Sequence, residues 1–375
     1  MSTSQSPLPH LSADVFTDPT GGHWKLSEDE IWWRDRQVFL ESRGYMLRGR
    51  FRPGWVPSWL GTDIPPATFD DGISNTHIKT IDATRIMDGQ PVFIKKLPSN
   101  TEELAIARYL STPTRMQDPR NHCVPILDHF ADPTDSSLIF IVMPMLRNFD
   151  SPPFFLVNEV VDFVHQTLEG LAYMHGQLVA HRDLAYLNVM LDGKPLYPEG
   201  HHPILQNFTP DSQKLAKVLR RCDVDRVKYY FIDFGISTRF ENANAARLVL
   251  GNIAQDRDIP ELSLHRPYDP FAVDVFTLGN IYRQFLMKKY SNLGFLAPLV
   301  EAMTHRDPKM RPTAADALST FRVLASKQPS YALRWRLRDK SAPTSRRLYN
   351  DVASSAHECL HLVKRLIGCM FSVFA

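Results

Sequence analysis

His181-Arg-Asp-Leu-Ala-Tyr-Leu-Asn188, followed after a long excursion by Tyr229-Tyr-Phe-Ile-Asp-Phe-Gly235, is the stretch on which the fold turns. The first string closes a segment, Val157 to His175, whose apolar residues fall at 157, 160, 161, 164, 168 and 171. That is the 3.6-residue period of an amphipathic helix. The second string ends a short β-type run, Tyr229 to Ile232. Upstream, Ile78 to Ile86 and Pro91 to Lys95 bracket Asp88-Gly89, a hairpin signal. A third string, Val92-Phe-Ile-Lys95, therefore lies on the second hairpin strand. A helix is expected from Glu102 to Leu110, capped at Ser99 or Asn100. Strands are expected near Val124 to Phe130 and Leu138 to Met143. Helices near 272–289, 295–304 and 313–326 complete the pattern. A small β-rich lobe thus precedes a larger helical one, an α+β architecture.

Composition narrows the function classes. The chain has 375 residues, and 43 Lys+Arg against 41 Asp+Glu leave a net charge of +2. Such balance is not the footprint of a nucleic-acid binder. The 43% hydrophobic content is that of a globular protein. No run reaches the roughly 18–20 apolar residues that a membrane span requires. The four cysteines are scattered without metal-ligand spacing, and no secretory leader is evident, so a soluble protein of the cytoplasm or nucleus is expected.

Taken in order, the three strings resemble the β3 lysine, catalytic loop and metal-binding loop of the protein kinase superfamily. The resemblance covers about residues 70–326 and implies a two-lobed kinase fold using ATP and Mg²⁺ on a protein substrate. A migrating γ-phosphoryl spreads negative charge over its oxygens, so the site must hold cations in advance and align a nucleophile. Asn188 and Asp233 are hard oxygen ligands suited to Mg²⁺. Asp183 is the candidate acceptor of the attacking hydroxyl's proton, with Arg182 beside it, and Lys95 would hold the α- and β-phosphates. Phe93, Met143, Pro144 and Leu146 are expected around the nucleotide. Lys95 needs an anionic partner on the following helix. Glu103 is preferred over Glu102, because Ile106 and Leu110 share its face whereas Glu102 falls at N3 of a Ser99-capped helix. Downstream, Ile259-Pro-Glu261 resembles the family's A-P-E. Asp274 matches an aspartate that holds the catalytic loop, and Arg311 the arginine that pairs with Glu261. The strap Arg52-Pro-Gly-Trp-Val-Pro-Ser-Trp59 and Tyr197-Pro-Glu-Gly-His-His-Pro203 resemble a group of fungal kinase-like proteins.

Four departures qualify the pattern. The glycine-rich phosphate loop is missing: its three glycine positions fall on Ile73, Asn75 and Ile78. Phe93 stands where the family has alanine, narrowing the adenine pocket. Position 185 is Ala and position 187 is Leu, so neither the Ser/Thr-type lysine nor the Tyr-type arginine is present. Finally, no Ser, Thr or Tyr lies between Arg239 and Pro260, so phosphorylation there is chemically impossible, and Arg182 is expected to find Glu241 instead. Three readings stay open: a protein kinase independent of activation-loop phosphorylation, a pseudokinase scaffold, and a small-molecule kinase.

The remaining segments divide the chain. Residues 1–69 read as an N-terminal extension, with a weakly ordered leader to about 26, a helix over about 27–43 and a Pro/Trp-rich strap. Ser27 and Glu30 form a capping box at the start of that helix. Within it Ile31, Trp32, Val38 and Phe39 share a face opposite Trp33 and Leu40. Residues 70–146 and 147–326 are the two lobes. The second carries an insertion at about 193–228, read either as a docking module or as a self-packed excursion. Its short helix would align Leu215, Val218, Leu219 and Cys222. His201-His202 has no third metal ligand at suitable spacing. Residues 327–375 hold nine Lys/Arg against three acids and end in an apolar decapeptide. That tail is expected either to pack on the body or to touch an anionic membrane surface peripherally.

Overall fold

The computed structural model describes residues 26–75, 77–242 and 247–373, together with a short strand pair at Phe16–Thr17 and His23–Trp24. The expected weakly ordered leader lies largely outside the described residues. The chain forms two compact units. The first comprises Met1–Asn100, Ile126–Met145 and Tyr197–Lys217, the second Thr101–Pro125, Leu146–Leu196 and Val218–Ala375.

An antiparallel five-stranded sheet organises the first unit. Its order is Tyr45–Leu47, Thr80–Arg85, Pro91–Pro98, Leu138–Pro144, Asp128–Ala131. The hairpin forms as expected, with Thr80 opposite Lys95 and Ala83 opposite Val92. Gly89 takes φ +68°, a conformation glycine adopts without steric cost. Alternation sends Ile81, Ala83, Val92, Ile94, Phe140 and Val142 into one core, which Trp33, Leu40 and Phe51 close. Each fully buried Val, Ile, Leu or Phe among them contributes about 1.5–3 kcal/mol.

Those last three residues belong to the segment expected to be a separate extension, and Tyr45–Leu47 is an edge strand of the sheet. A boundary at 69/70 therefore corresponds to no break in the structure. The chain between the first two strands, residues 48–79, is the irregular strap, stitched by its own polar groups. Arg50 forms a buried ion pair with Glu30 at 2.8 Å. Arg48 donates to Asp82 at 2.8 Å and to the carbonyl of Ile73 at 3.0 Å. Asp71 accepts from the Trp55 indole at 2.8 Å and from Ser58.

The N-terminal helix begins with the expected capping box. It breaks, however, into Glu28–Arg34 and Gln37–Ser42, because the Arg36 amide bonds one residue short of the helical i to i−4 pattern, to the carbonyl of Trp33. The Arg36 guanidinium lies over the Trp32 ring and donates to Thr134 at 3.0 Å. The break takes Val38 out of its expected apolar face, leaving it 70% exposed.

The insertion contains no helix over 213–220. Its backbone is spent on a hairpin: Thr209 N donates to the carbonyl of Lys214 and Ala216 N to that of Asn207, both at 2.8 Å. Groups so paired cannot also form an i to i−4 ladder. Leu215 and Val218 are exposed. His202 is a structural histidine: Nε2 meets Asp70 at 2.9 Å, while Nδ1 accepts from the amides of Ile204 and Leu205.

In the second unit the Val157–Gly176 helix buries Val160, Val164, Leu168 and Leu171 and packs against Ala314–Ser326. Short strands flank the motif strings: Val189–Leu191 pairs with both Tyr229–Phe231 and Arg147–Asn148. The Pro270–Ile281 helix is capped by Asp269 and buried along almost its whole length. Of the strand expected near Val124 to Phe130, the end forms as Asp128–Ala131 in the first unit's sheet, and beside its start there is only a bridge between Cys123 and Phe231. A final helix, Thr344–Val373, is anchored by Arg334 to Glu358 and by the Trp335 indole to Asp351 at 3.0 Å. The side chains from 360 onward, which carry the expected apolar end of the tail, lie outside the described residues. Among the described residues no helix is long and apolar enough to cross a membrane.

Candidate active site

In the second unit the His181 string is a loop built on one carboxylate. Asp274 is fully buried and accepts from the backbone N–H of His181 at 2.7 Å, from that of Arg182 at 2.6 Å, and meets His175 Nε2 at 3.0 Å. These bonds hold Arg182 at φ +69°, a conformation that costs a non-glycine residue about 1–2 kcal/mol. The loop is also tied to the second string. His181 Nε2 contacts the carbonyl of Ile232 at 3.0 Å, and Ile232 N donates to that of Asn188 at 3.0 Å.

Asp183 and Asn188 are brought together. The Asn188 amide nitrogen donates to the carbonyl of Asp183 at 2.8 Å and to its carboxylate at 3.1 Å. With both N–H groups committed, the side-chain oxygen of Asn188 is the atom left for a cation. Asp233 sits at φ +65°, its Oδ1 accepting from Gly235 N at 3.3 Å. Glu103 reaches the same place: its Oε2 lies 3.4 Å from where a Cβ on Gly235 would stand. Glu103 is buried and Glu102 exposed. The helix runs Glu102–Leu110 as expected, but its cap is neither Ser99 nor Asn100. Thr101 is the N-cap, no side chain caps it, and Glu102 is N1. The Ser99 hydroxyl instead donates to the carbonyl of Ser136.

Arg182 does not turn to Glu241. Its guanidinium donates to the carbonyl of Ile236 and to the Thr238 hydroxyl, both at 3.1 Å, and to the carbonyl of Leu250 at 2.9 Å. Gly251 makes room for it, since a Cβ there would lie 2.8 Å from Arg182 Nη2. Farther along, Glu261 and Arg311 form a bidentate pair, the second bond at 2.9 Å, with the arginine side chain fully buried. Leu146 is buried at the start of a segment of the same unit.

The first unit carries Phe93, Lys95, Met143 and Pro144. The register sets Phe93 opposite Met143 and Lys95 opposite Ile141, so these share the sheet face away from the Trp33 core. On that face Asp82, opposite Phe93, is occupied by Arg48. The neighbouring Lys96 points the other way, lying over the Trp32 ring at 4.0 Å and 3.8 Å from Asp29. Burial pulls its pKa below the ordinary lysine value. Of the positions expected to carry glycines, Ile73 is buried, and Asn75 is tethered. Asn75 N donates to Glu30 at 3.2 Å, and its side chain donates to the carbonyls of His77 and Thr80 at 2.8 Å.

One residue escaped the sequence reading altogether. Gln255 donates its backbone N–H to Asp183 Oδ1 at 2.7 Å and its side-chain amide to Oδ2 at 3.1 Å. A lone glutamine in a loop has no periodicity or motif to betray it.

The Asp274-anchored loop thus presents the Asp183 carboxylate bonded to the Asn188 amide, and the string tied to that loop carries a second carboxylate, Asp233. Residues 79–292, more than half of the chain, match the protein kinase domain, and the chain belongs to that family. Among its relatives are Sperm motility kinase 2B of Mus musculus, 28% identical over 178 residues, covering 41% of this chain and 29% of that protein. Serine/threonine-protein kinase ppk8 of Schizosaccharomyces pombe is 26% identical over 128 residues, covering 33% of this chain and 19% of that protein. Serine/threonine kinase NLK of Caenorhabditis elegans is 22% identical over 290 residues, covering 74% and 39%. The chain thus spans well under half the length of each of these relatives.

Proposed function

We propose that this chain transfers the γ-phosphoryl group of Mg-ATP to a hydroxyl of a protein substrate, without phosphorylation of the 240–259 segment. The observation that carries the reading is the Asp274-anchored loop presenting Asp183 already bonded to Asn188. Asp183 would accept the acceptor's proton as its oxygen turns to phosphorus, and Lys95 would hold the α- and β-phosphates. Asn188 and Asp233 would hold Mg²⁺, which when bound neutralises phosphate charge. Acceptor type stays with the named Ser/Thr relatives as a proposal, because Ala185 and Leu187 match neither class.

A scaffold that does not turn over ATP is the second reading. It is favoured by the tethered Asn75 loop and by Phe93. Thermal melting with millimolar Mg-ATP separates the two, since a ligand of the native state raises its melting point. The expected result is a rise for wild type and Lys96→Met, lost in Lys95→Met and Asp233→Asn, with radiolabelled autophosphorylation following the same order. No rise in wild type and no transfer would leave the scaffold.

A further inference from the structure

The Asp183 carboxylate is already engaged. An ionised carboxylate offers about four acceptor sites. Three are filled, by Gln255 N, by the Gln255 side-chain amide and by Asn188. Gln255 itself is exposed, yet the segment carrying it is pinned on both sides. Before it, Arg182 holds the carbonyl of Leu250 and the Tyr268 hydroxyl donates to that of Gly251 at 3.0 Å. After it, the Asn280 side-chain amide donates to Asp256 at 2.6 Å, and Arg283 lies 3.6 Å from Asp258. No Ser, Thr or Tyr lies within 240–259, so phosphate added there cannot move the segment. Beside Gln255 opens a recess of about 370 Å³, lined by Leu184, Ala185, Tyr186, Asp256 and Phe285. Ala185 brings only a methyl group to it, which leaves space for a displaced glutamine side chain.

We propose that the 252–258 segment is a built-in latch on the acceptor side of this site: Gln255 donates to the carboxylate where an acceptor hydroxyl must donate, and the acceptor itself releases it. The proposal rests on the kinase reading for its purpose, but the contact can be tested without it. In the full-length protein, hydrogen–deuterium exchange at the Gln255 amide should quicken about tenfold in Asp183→Ala and by a smaller factor in Asp183→Asn, since a bond to an ionised acceptor is lost. Unchanged exchange in whichever of these variants retains the wild-type melting point overturns the latch.

The second arm uses radiolabelled Mg-ATP and a random peptide mixture containing Ser, Thr and Tyr. Gln255→Ala should raise kcat/KM for peptide by about five- to tenfold, at an unaltered Mg-ATP melting shift. A rate unchanged within twofold, or lowered, overturns the latch, and a lowered one makes Gln255 a positioning donor for Asp183. If no variant transfers phosphate while exchange quickens as expected, the kinase reading falls and the latch contact stands.

Discussion

Replacing Asp274 tests whether one buried carboxylate holds the candidate catalytic loop. The side chain is inaccessible to solvent and accepts from two backbone N–H groups at 2.7 and 2.6 Å and from His175 at 3.0 Å. Asp274→Ala leaves one buried and two partly buried donors unpaired, at about 1–3 kcal/mol for each that water cannot reach. Relaxation recovers part of that, so a net loss of about 3–5 kcal/mol is expected, the range for breaking a buried charged contact. In a domain of this size each kcal/mol lowers the melting point by about 2–4 °C, giving a fall of about 6–20 °C. Asp274→Asn keeps one oxygen but turns an N–H₂ toward a donor, so it should lose about half as much. Differential scanning calorimetry of the full chain reads both, with the exposed Glu301→Ala as control, expected within about 0.5 kcal/mol. A fall under 2 °C for Asp274→Ala would show that the loop is held by something else. Because Arg182 sits at positive φ only under this restraint, proteolysis within 178–188 should accelerate together with the melting change.

Two other perturbations probe the units separately. Glu30→Ala or Arg50→Ala should each cost about 3–5 kcal/mol by urea denaturation, because each strands its buried partner. The paired change Glu30→Leu with Arg50→Met should recover most of that, and equal costs for single and paired variants would refute the coupling. In the second unit, burial depresses the pKa of His122 to about 4 from its ordinary 6.5. The folded state therefore favours the neutral ring: its contribution is complete above pH 6.5 and disappears as pH falls from 6.5 through about 4, for a total of about 3 kcal/mol. His122→Gln should flatten the stability profile across that window, and an unaltered slope would assign the acid loss elsewhere.

How much of this was legible in the sequence follows from the range of each interaction. The capping box of Ser27 and Glu30 and the Asp88-Gly89 hairpin depend on residues a few positions apart, and both are present. Helical periodicity also places Glu103 and not Glu102 on the buried face, although Thr101, not Ser99 or Asn100, is the cap. The 27–43 helix failed where Arg36 found partners about a hundred residues away, in Asp132 and Thr134. The short helix read through Leu215, Val218, Leu219 and Cys222 is not formed, because Thr209 and Asn207 claim the backbone of Lys214 and Ala216 and only a 3-10 turn follows at Arg221–Asp223. The line drawn at 69/70 failed because strap residues carry no periodic signal, while their worth lies in long-range contacts such as Phe51 in the sheet core.

Periodicity and short motifs, then, determined the α+β class, the order of the two units' main elements, and the candidate chemistry of Lys95, Asp183, Asn188 and Asp233. They act over one helical turn or one strand, a range that a linear string records faithfully. Tertiary structure alone decided that the Asp274-anchored loop carries Arg182 in a strained, positive-φ turn, that Arg182 binds Leu250 and not Glu241, and that Gln255 lies on Asp183. Each of those contacts joins residues more than 65 positions apart, and hydrogen bonding at that range is set by which surfaces pack together, not by neighbours in the chain.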